Sequence, residues 1–383
     1  MATREALWNY RNEFGDAFGR TYFRRFGPGV IASIGLGTYR GEPTDAVDGG
    51  LRKAVGLAIR SGVNVLDTAS NYRHGRSERV IGEVLRNSSI ERDAVIVSTK
   101  GGFVPFEGGE PIDRTAFLRD RFLNPGILEV DDLAGGSHAL APTFLEWSLD
   151  RSLERLGVAT VDCYYLHNPE TQLAVRSRSA VYDAIEDGLE LLERRRLAGD
   201  VGCYGIATWE AFRVPETHDS YLSLTEILAR AEAVGERIGP TDDHGFEALQ
   251  LPFNVHMADA FTRANQRPPK KAARPSDGSD RRTKGTDDER LSTLELAHEA
   301  DLSVFTSASL AGGDLARIDA IPPAVDRELA GDTPAQRAIN FARSAPGVTC
   351  ALVGTADRDH LSENVAGGTF DPMGAKAFDS VFV

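Results

Sequence analysis

Four polar side chains follow apolar runs of the sequence, and their chemical types are those that hold and transfer protons. Asp67 comes directly after one apolar run, and Tyr72 lies shortly beyond it. Lys100 and His167 each follow a later apolar run. A carboxylate, a phenol, an ammonium and an imidazole can together position a proton for general acid–base catalysis. Taken alone, each residue is better explained by a structural role, such as capping a loop or lying on the surface.

The composition is that of a soluble globular protein. The chain has 383 residues, of which 41% are hydrophobic and 26% charged, enough for one large domain or two ordinary ones. No stretch is apolar enough for a membrane span and the N-terminus lacks an apolar segment, so we expect neither a signal peptide nor membrane association. The net charge of −14 argues against binding to nucleic acid or anionic membranes.

The cysteines show neither a disulfide pattern nor the spacing of metal ligands. Cys163, Cys203 and Cys350 lie far apart in apolar, strand-like contexts. Disulfide-poor chains are typical of reducing compartments, so we expect a cytoplasmic location and no metal site. The sequence does not indicate an oligomeric state.

The four polar residues are positioned by strands that alternate with helices. Helical periodicity fills the intervals, and Thr143 and Thr333 each begin a capping-box pattern. Continuous apolar strands joined by helices indicate a parallel sheet that is buried on both faces. Eight such units fit a closed (β/α)8 TIM barrel, in which active sites lie at the carboxyl ends of the strands. The predicted strands are 30–36, 63–66, 94–98, 161–166, 201–206, 246–251, 302–305 and 349–353.

An open, doubly wound sheet is the alternative fold. Gly35 and Gly37 resemble the beginning of a dinucleotide fingerprint, but Arg40 stands where the third glycine belongs. The phosphate-binding glycine loop that such a sheet needs after its first strand is therefore incomplete, and the barrel is favoured.

We predict an N-terminal extension and a single barrel domain. Residues 1–29 are an N-terminal extension that packs on the barrel or flanks it, and residues 30–383 form the barrel. Two long loops interrupt the barrel units. Residues 101–139 are rich in Gly and Pro, and such a long loop is usually functional or mobile. Residues 258–289 have low hydrophobicity and clustered charge, which predicts a mobile insertion, either a lid or disordered.

Taken together, the segments resemble those of aldo-keto reductases. The matching segments are residues 64–72, 98–100, 164–167, Gln250 and 361–364, and the resemblance extends from about residue 31 to 365. It implies an NAD(P)H-dependent oxidoreductase that interconverts a small-molecule aldehyde, ketone or sugar with an alcohol by hydride transfer. The hydride must come from the cofactor, because no side chain supplies one.

The resemblance also implies a role for each polar residue. Tyr72 is the proton donor, and Lys100 is the cation that favours its phenolate form. Asp67 keeps Lys100 charged. His167 orients the substrate carbonyl, and Tyr39, where many members of the family have Trp, contributes to the substrate wall. A phenol has an unperturbed pKa of about 10, so the neighbouring ammonium is expected to make it a better acid.

The cofactor residues are carried over by position in the same way. They would meet the nicotinamide and its ribose first, then the pyrophosphate and finally the adenosine. The set comprises Gly37, Thr38, Thr208, Gln250, Ser307, Leu310, Gly312, Gly354, Thr355, Arg358, Glu363 and Asn364.

Four positions depart from the family pattern. The usual Ser-Asn pair after the fifth strand is Ala207-Thr208, the usual Lys after the eighth strand is Gly354, and the usual downstream Arg is His360. Two cations expected near the 2′-phosphate are thus replaced, which leaves Arg358 as the candidate. We expect NADPH as the cofactor, with NADH as the alternative.

Two other functions remain open. Some relatives are non-catalytic barrels that bind cofactor and act as regulatory or sensing subunits, although the intact catalytic set argues against this. A barrel enzyme could also use its cofactor for internal redox on a sugar, without net turnover. Steady-state consumption of cofactor distinguishes internal redox from the oxidoreductase with net turnover.

Overall fold

Eight parallel strands close into a barrel in the computed structural model, which describes residues 1–87, 91–239, 244–269 and 290–382. Each strand pairs with the next along the chain, and the last pairs with the first, Gly354 lying opposite Gly37. The predicted (β/α)8 TIM barrel is therefore confirmed. The strands are β1 (Ile34–Gly37), β2 (Val65–Asp67), β3 (Ile96–Gly101), β4 (Val161–His167), β5 (Val201–Ala207), β6 (Phe246–Pro252), β7 (Ser303–Ser307) and β8 (Val348–Gly354).

One main helix follows each strand. Further helices span Arg4–Phe14, Arg114–Leu118, Asp259–Thr262, Pro323–Asp326 and Ala375–Ser380. None of the described helices is long and apolar enough to cross a membrane. The main helices are α1 (Asp45–Arg60), α2 (Arg76–Asn87), α3 (Pro142–Leu156), α4 (Arg178–Ala198), α5 (Leu224–Ile238), α6 (Thr293–Glu299), α7 (Pro334–Ser344) and α8 (Arg358–Ala366).

One of the two predicted capping boxes is present. At the start of α7, the Thr333 hydroxyl accepts a hydrogen bond from the Gln336 backbone N–H, and the Gln336 side chain accepts from the Thr333 N–H. The box predicted at Thr143 is wrong. Pro142 occupies the first position of α3, where its fixed φ suits the helix, so Thr143 lies inside the helix and donates its hydroxyl to Ile127 O at 2.7 Å.

The interior of the barrel is filled by every second residue of its strands, and we call this buried apolar cluster the plug. Because successive strand side chains point to opposite faces, one set points inward and the other packs against the helices. The three cysteines lie in this buried cluster as free thiols. The inward apolar set includes Val65, Ile96, Cys163, Tyr165, Cys203, Ala248, Phe305 and Cys350.

The N-terminal residues close the end of the barrel where the strands begin. The helix Arg4–Phe14 leads to a hairpin of Phe23–Phe26 and Gly29–Ala32. Leu7, Phe26 and Ile31 join the same buried cluster as the inward strand residues, which secures this segment to the barrel. The predicted first strand, 30–36, is therefore wrong in its first half, because residues 29–32 pair antiparallel in the hairpin and only 34–37 belong to the barrel.

The long loop between β3 and α3 has a hydrophobic core of its own. Phe106, Phe122 and Phe144 are buried in a separate cluster with neighbouring aliphatic residues. The Ala139 N–H donates to Gly102 O at 2.8 Å, which ties the end of the loop to the end of β3. The loop is thus a packed subdomain at the mouth of the barrel, rather than an extended connection.

The predicted insertion at 258–289 begins with regular structure. The helix Asp259–Thr262 is followed by Ala264–Gln266, which pairs antiparallel with Leu291–Ser292 just before α6. The Tyr221 hydroxyl donates to Asn265 O at 2.8 Å and anchors this ribbon to the preceding loop. Residues 270–289 lie outside the described residues, so the prediction for them stays a prediction.

Candidate active site

The side chains predicted to do the chemistry share the inward register of their strands. Asp67 comes two residues after Val65 on β2, and Lys100 comes four residues after Ile96 on β3. His167 comes two residues after Tyr165 on β4, and Gln250 comes two residues after Ala248 on β6. Period-two geometry therefore brings these groups together above the apolar plug, at the carboxyl end of the barrel.

Asp67 and Lys100 form a buried ion pair at the centre of this group. Lys100 Nζ lies 2.7 Å from Asp67 Oδ2 and donates to Thr68 O, also at 2.7 Å. The other carboxylate oxygen accepts from Ser98 Oγ and from Gln250 Nε2, each at 2.8 Å. Together these contacts reduce the free-energy cost of burying the Asp67 carboxylate, because a buried charge needs both a counter-charge and hydrogen bonds.

The environment keeps Lys100 protonated. Burial works to lower the pKa of Lys100, but the Asp67 carboxylate and the Tyr72 phenol outweigh it and raise the pKa above its ordinary value of 10.5. The ammonium is therefore a fixed positive charge beneath the mouth of the barrel at neutral pH.

Tyr72 stands directly above this charge. It opens a short 3₁₀ turn, Tyr72–Gly75, in which Arg73 and His74 adopt positive φ values of 49° and 59°. Lys100 Nζ lies 4.9 Å from the centroid of the Tyr72 ring. Burial raises the pKa of the Tyr72 phenol, and Lys100 opposes that rise without cancelling it. Lys100 acts to lower the phenol pKa, as expected, but the pKa is raised overall because desolvation is the larger effect.

His167 is held as a neutral imidazole beside Tyr72. The two ring centroids are 6.0 Å apart. Burial, then the Lys100 charge, then His138 bring the pKa of His167 well below its usual value. His138, from the β3–α3 loop, donates Nε2–H to His167 O at 2.8 Å, and Gln172 Nε2 lies 3.0 Å from His138 Nδ1. A neutral imidazole has one N–H donor and one acceptor, which suits contact with a carbonyl oxygen.

These residues face a cavity of about 820 Å³, within the size range of small-molecule sites. The cavity extends from Tyr72 and His167 past the ends of β7 and β8 to helix α8. Tyr39 and Trp209 are 64% and 48% exposed and, together with Phe103, form aromatic walls of the cavity that Tyr72 and His167 also line.

The structure brings almost all of the predicted cofactor residues onto this cavity. Arg358 is the exception, because it lies at the exposed start of α8 and is not part of the cavity wall. The residues that do line it are Gly37, Thr38, Thr208, Gln250, Ser307, Leu310, Gly312, Gly354, Thr355, Glu363 and Asn364.

Thr208 already has partners for its hydroxyl. Its Oγ1 donates to Glu170 Oε1 at 2.8 Å and accepts from the Ala211 N–H at 2.9 Å. The same Glu170 oxygen accepts from the backbone N–H groups of Trp209 and Glu210. Burial raises the pKa of Glu170, against the pull of these hydrogen bonds. Glu170 thus fixes the turn after β5 that carries Thr208 and Trp209, and the Thr208 proton is not free for a ligand.

The wall of the cavity has the features of a site for an elongated polar molecule. Asn71 Oδ1, His167 Nδ1 and Ser309 Oγ line it, and these buried atoms have no hydrogen-bond partner within the described residues. Unpaired buried polar atoms on a cavity wall favour a ligand that supplies the missing partners. The glycine at position 354 lets a ligand approach the backbone closely, since a Cβ there would already stand 3.2 Å from Gly37 O. The residues present therefore fit a nicotinamide dinucleotide.

Comparison with known proteins assigns the family. The sequence profile of the Aldo/keto reductase family matches residues 33–224, half of the chain. The chain belongs to the aldo-keto reductase family. The match covers strands β1 to β5 and all four of the residues Asp67, Tyr72, Lys100 and His167.

Characterised relatives are distant. The chain is 26% identical to the NADH-specific methylglyoxal reductase of Escherichia coli over 203 residues, 52% of this chain and 53% of the relative. It therefore spans about half the length of that protein. It is also 25% identical to the versiconal hemiacetal acetate reductase of Aspergillus parasiticus over 314 residues, 81% of this chain and 79% of the relative.

Solved structures support the fold. A holo aldo-keto reductase from Bacillus halodurans superposes with a TM-score of 0.61 at 18% identity, covering 94% of this chain and 95% of that one. An aldo-keto reductase from Klebsiella pneumoniae in complex with NADPH gives a TM-score of 0.56 at 18% identity, with 94% of each chain covered. At this identity the likeness establishes the barrel alone.

Several residues of the site were not predicted from the sequence. Ser98 could have been found, because it precedes Lys100 by two residues and so faces the same way. His138 and Glu170 lie in loops without a periodic pattern, and only their contacts show what they do. Arg40 was noted merely as the residue that breaks a glycine fingerprint, yet it lines the cavity.

Proposed function

We propose that this chain is an NAD(P)H-dependent oxidoreductase that interconverts a carbonyl compound and an alcohol, with Tyr72 as the proton donor. The observation that carries the proposal is the buried ion pair of Lys100 and Asp67 directly beneath the Tyr72 ring, at the cavity end of the barrel. A buried ion pair contributes little net stability compared with apolar packing, so its presence at this place favours a chemical role.

The side chains of the protein would donate and accept the proton of the reaction. A bound nicotinamide cofactor supplies the hydride. As the carbonyl oxygen gains negative charge, Tyr72 gives it the phenolic proton, because an alkoxide is a much stronger base than a phenolate. The resulting phenolate is stabilised by Lys100, whose charge Asp67 secures. In the oxidative direction Tyr72 takes the proton back. Positioned proton transfer of this kind contributes roughly 10²–10⁴ in rate.

His167 would orient the substrate. Its neutral ring can donate one hydrogen bond to the carbonyl oxygen without placing a second full charge next to Lys100. The His138 contact fixes the backbone that carries this ring. The walls of Tyr39, Phe103 and Trp209 favour uncharged carbonyl compounds with an apolar or planar body.

The cofactor would lie along the cavity from Gln250 to Asn364. Gln250 keeps its Oε1 free of hydrogen bonds within the described part of the chain, which suits the carboxamide N–H. The turn at Gly312 and Gly313, with φ of 73° and 104°, allows close approach of a pyrophosphate. We propose NADPH as the main cofactor and NADH as the alternative. The Escherichia coli relative is named NADH-specific, so both belong in the first experiment.

The deciding experiment is a fluorescence titration of the purified protein with NADPH and with NADH. Trp209 lines the cavity, so energy transfer from tryptophan to the reduced nicotinamide should report binding. Trp209→Phe is the matched control, because the other two tryptophans, Trp8 in the N-terminal helix and Trp147 in α3, are not among the residues that line the cavity. Saturable transfer that falls in Trp209→Phe, followed by cofactor consumption with a panel of carbonyl compounds, supports the proposal.

Other outcomes point to other functions. Tight binding without turnover of any carbonyl compound would favour a regulatory or sensing subunit. Conversion of a sugar without net consumption of cofactor would indicate internal redox. A folded sample that binds neither nucleotide would refute the proposal.

A further inference from the structure

A second cavity lies at the opposite end of the barrel from the candidate active site. It has a volume of about 470 Å³ and is open to solvent. Its walls come from the hairpin strand Phe23–Phe26, the end of α7 and the start of β8 at Val348. The seven residues of β8 lead from Val348 here to Gly354 at the active-site cavity, a rise of about 20 Å. The two cavities have no lining residue in common.

The charged residues that line this second cavity are all arginines. Arg20, Arg24, Arg25 and Arg343 line it, and no described Asp or Glu does, so we call it the arginine cavity. A chain with 57 acidic and 43 basic residues would not gather four cations without an acid by composition alone. The Asp371 carboxylate favours the charged form of Arg343, but it forms no ion pair with any of the four among the described residues. The cavity therefore carries an uncompensated positive charge.

Arg343 differs from the other buried arginines of the described chain. Arg73 pairs with Asp48, and Arg155 pairs with Glu78 at 2.6 Å. Arg343 is 1% exposed, and its Nε and Nη1 donate to hydroxyl and carbonyl oxygens that carry no charge. Its Nη2 has no hydrogen-bond partner within the described residues. A buried charge without a counter-charge costs free energy, so the protein holds this guanidinium at a cost.

Arg24 places a second guanidinium beside it. Arg24 Nη1 donates to Val348 O at 2.6 Å, and Nη2 donates to Arg343 O at 2.7 Å. Burial and then the charge of Arg343 lower the pKa of Arg24 to about 10. Both guanidinium groups are therefore charged at neutral pH and repel each other. An anion in the cavity would offset this repulsion, because charges in a partly buried site are poorly screened.

Arg20 and Arg25 supply donors at the entrance of the cavity. Both are exposed, and neither side chain makes a hydrogen bond or ion pair within the described part of the chain. Each guanidinium presents five N–H donors in a planar fork, a geometry that matches the oxygens of a phosphate group. Phe23 and Met373 add apolar surface, so there is room for an organic body as well.

We propose that the arginine cavity binds a small phosphate-bearing anion, such as a phosphate monoester. Arg20 and Arg25 would contact the phosphate oxygens, and the charges of Arg24 and Arg343 would attract the anion from below. The net charge of −14 disfavours an anionic membrane as the source of the phosphate, so the ligand is a soluble molecule. This site is independent of the nicotinamide cofactor and of the proposed function.

The test is isothermal titration calorimetry with inorganic phosphate and with glycerol 3-phosphate, at constant ionic strength. We expect saturable binding to the wild type that weakens as chloride is raised. The double variant Arg20→Gln/Arg25→Gln should bind at least about 10-fold more weakly, because charge-assisted hydrogen bonds are lost. Arg20→Lys/Arg25→Lys should recover part of the affinity, since it restores the charges without the forks. Thermal melts without ligand confirm that each variant is folded.

Arg40→Gln is the matched control. Among the described residues that line the active-site cavity, Arg40 is the one lysine or arginine, so an anion bound there should respond to its loss. We expect phosphate binding to be unchanged in Arg40→Gln. Binding that is lost in Arg40→Gln and kept in the double variant would place the anion in the active-site cavity and overturn the proposal.

Two further outcomes would also overturn it. One is the absence of saturable binding of either anion to the folded wild type. The other is binding to vesicles of phosphatidylcholine and phosphatidic acid without binding of the soluble anions, which would assign the arginines to a membrane surface. Neither result bears on the proposed function, which the titration with NADPH and NADH tests separately.

Discussion

Lys100 Nζ lies 2.7 Å from Asp67 Oδ2, and both residues are buried in the barrel. The pair joins β2 to β3 at the level where the apolar plug ends and the cavity begins. It gives the cavity floor a positive charge that is balanced within the protein.

Breaking the pair on one side should cost stability. Lys100→Met leaves the Asp67 carboxylate buried without its counter-charge, and we expect a loss of about 3–5 kcal/mol in the free energy of unfolding by urea. The double variant Lys100→Met/Asp67→Asn should recover much of it, because both charges are then absent. A single variant as stable as the wild type would show that Asp67 is balanced by other groups.

The same pair should make the stability of the folded protein decrease at high pH. The pKa of Lys100 in the folded state is raised above 10.5, so the folded state binds the proton more tightly than the unfolded chain. The stabilisation is therefore complete below about pH 10.5 and is lost as pH rises through the folded-state value. Unfolding free energies measured from pH 8 to 12 should fall more steeply in the wild type than in the double variant.

Tyr72→Phe should abolish turnover and leave nucleotide affinity nearly unchanged. The substitution removes the phenolic proton and keeps the ring that packs against Tyr39 at 5.1 Å between centroids. The expected decrease in kcat is about 10²-fold or more. Dissociation constants from energy transfer serve as the control. A wild-type kcat in this variant would assign the proton donor to another group.

His138 should make the protein less stable in weak acid. Burial lowers the pKa of His138 from 6.5 to about 4. Between these values the unfolded chain binds a proton that the folded state does not, so stability falls as pH drops from 6.5 to 4, by roughly 3 kcal/mol in all.

The measurement compares urea unfolding of the wild type and His138→Gln across that pH range. His167 has a lowered pKa as well and contributes to the wild-type slope, so the difference between the two proteins is the informative quantity. The variant should show the shallower dependence. Parallel curves would mean that His138 titrates normally.

Arg358→Gln should weaken NADPH more than NADH. Arg358 is exposed at the start of α8, and its side chain makes no hydrogen bond or ion pair within the described residues. A free cation near Thr355 and Glu363 could meet the 2′-phosphate, which only NADPH carries. The ratio of the two dissociation constants is the readout, and Arg317→Gln, at an exposed arginine that pairs with Asp314, is the control variant. Equal losses would place the 2′-phosphate elsewhere.

The sequence alone predicted the barrel, which the structure confirms, and the polar residues that the structure brings together at its mouth. Continuous apolar strands between amphipathic helices allow few arrangements, and eight of them specify closure. The period of two along β3 then places Lys100 on the inner face, as it does Asp67 on β2. These are local regularities, so they can be seen without coordinates. The split of the first predicted strand at Ser33 was missed because both halves are equally apolar.

Only the tertiary structure decided how the loops complete the site. The contacts of His138 with His167 and of Glu170 with Thr208 join residues that are 29 and 38 positions apart. The hydrogen bond from Arg40 to Gly312 spans 272 positions and passes over β8. No periodicity encodes such contacts, because they depend on the path of each loop across the mouth of the barrel. The balance of burial against charge that raises the pKa of Tyr72 likewise depends on how closely those loops enclose the ring.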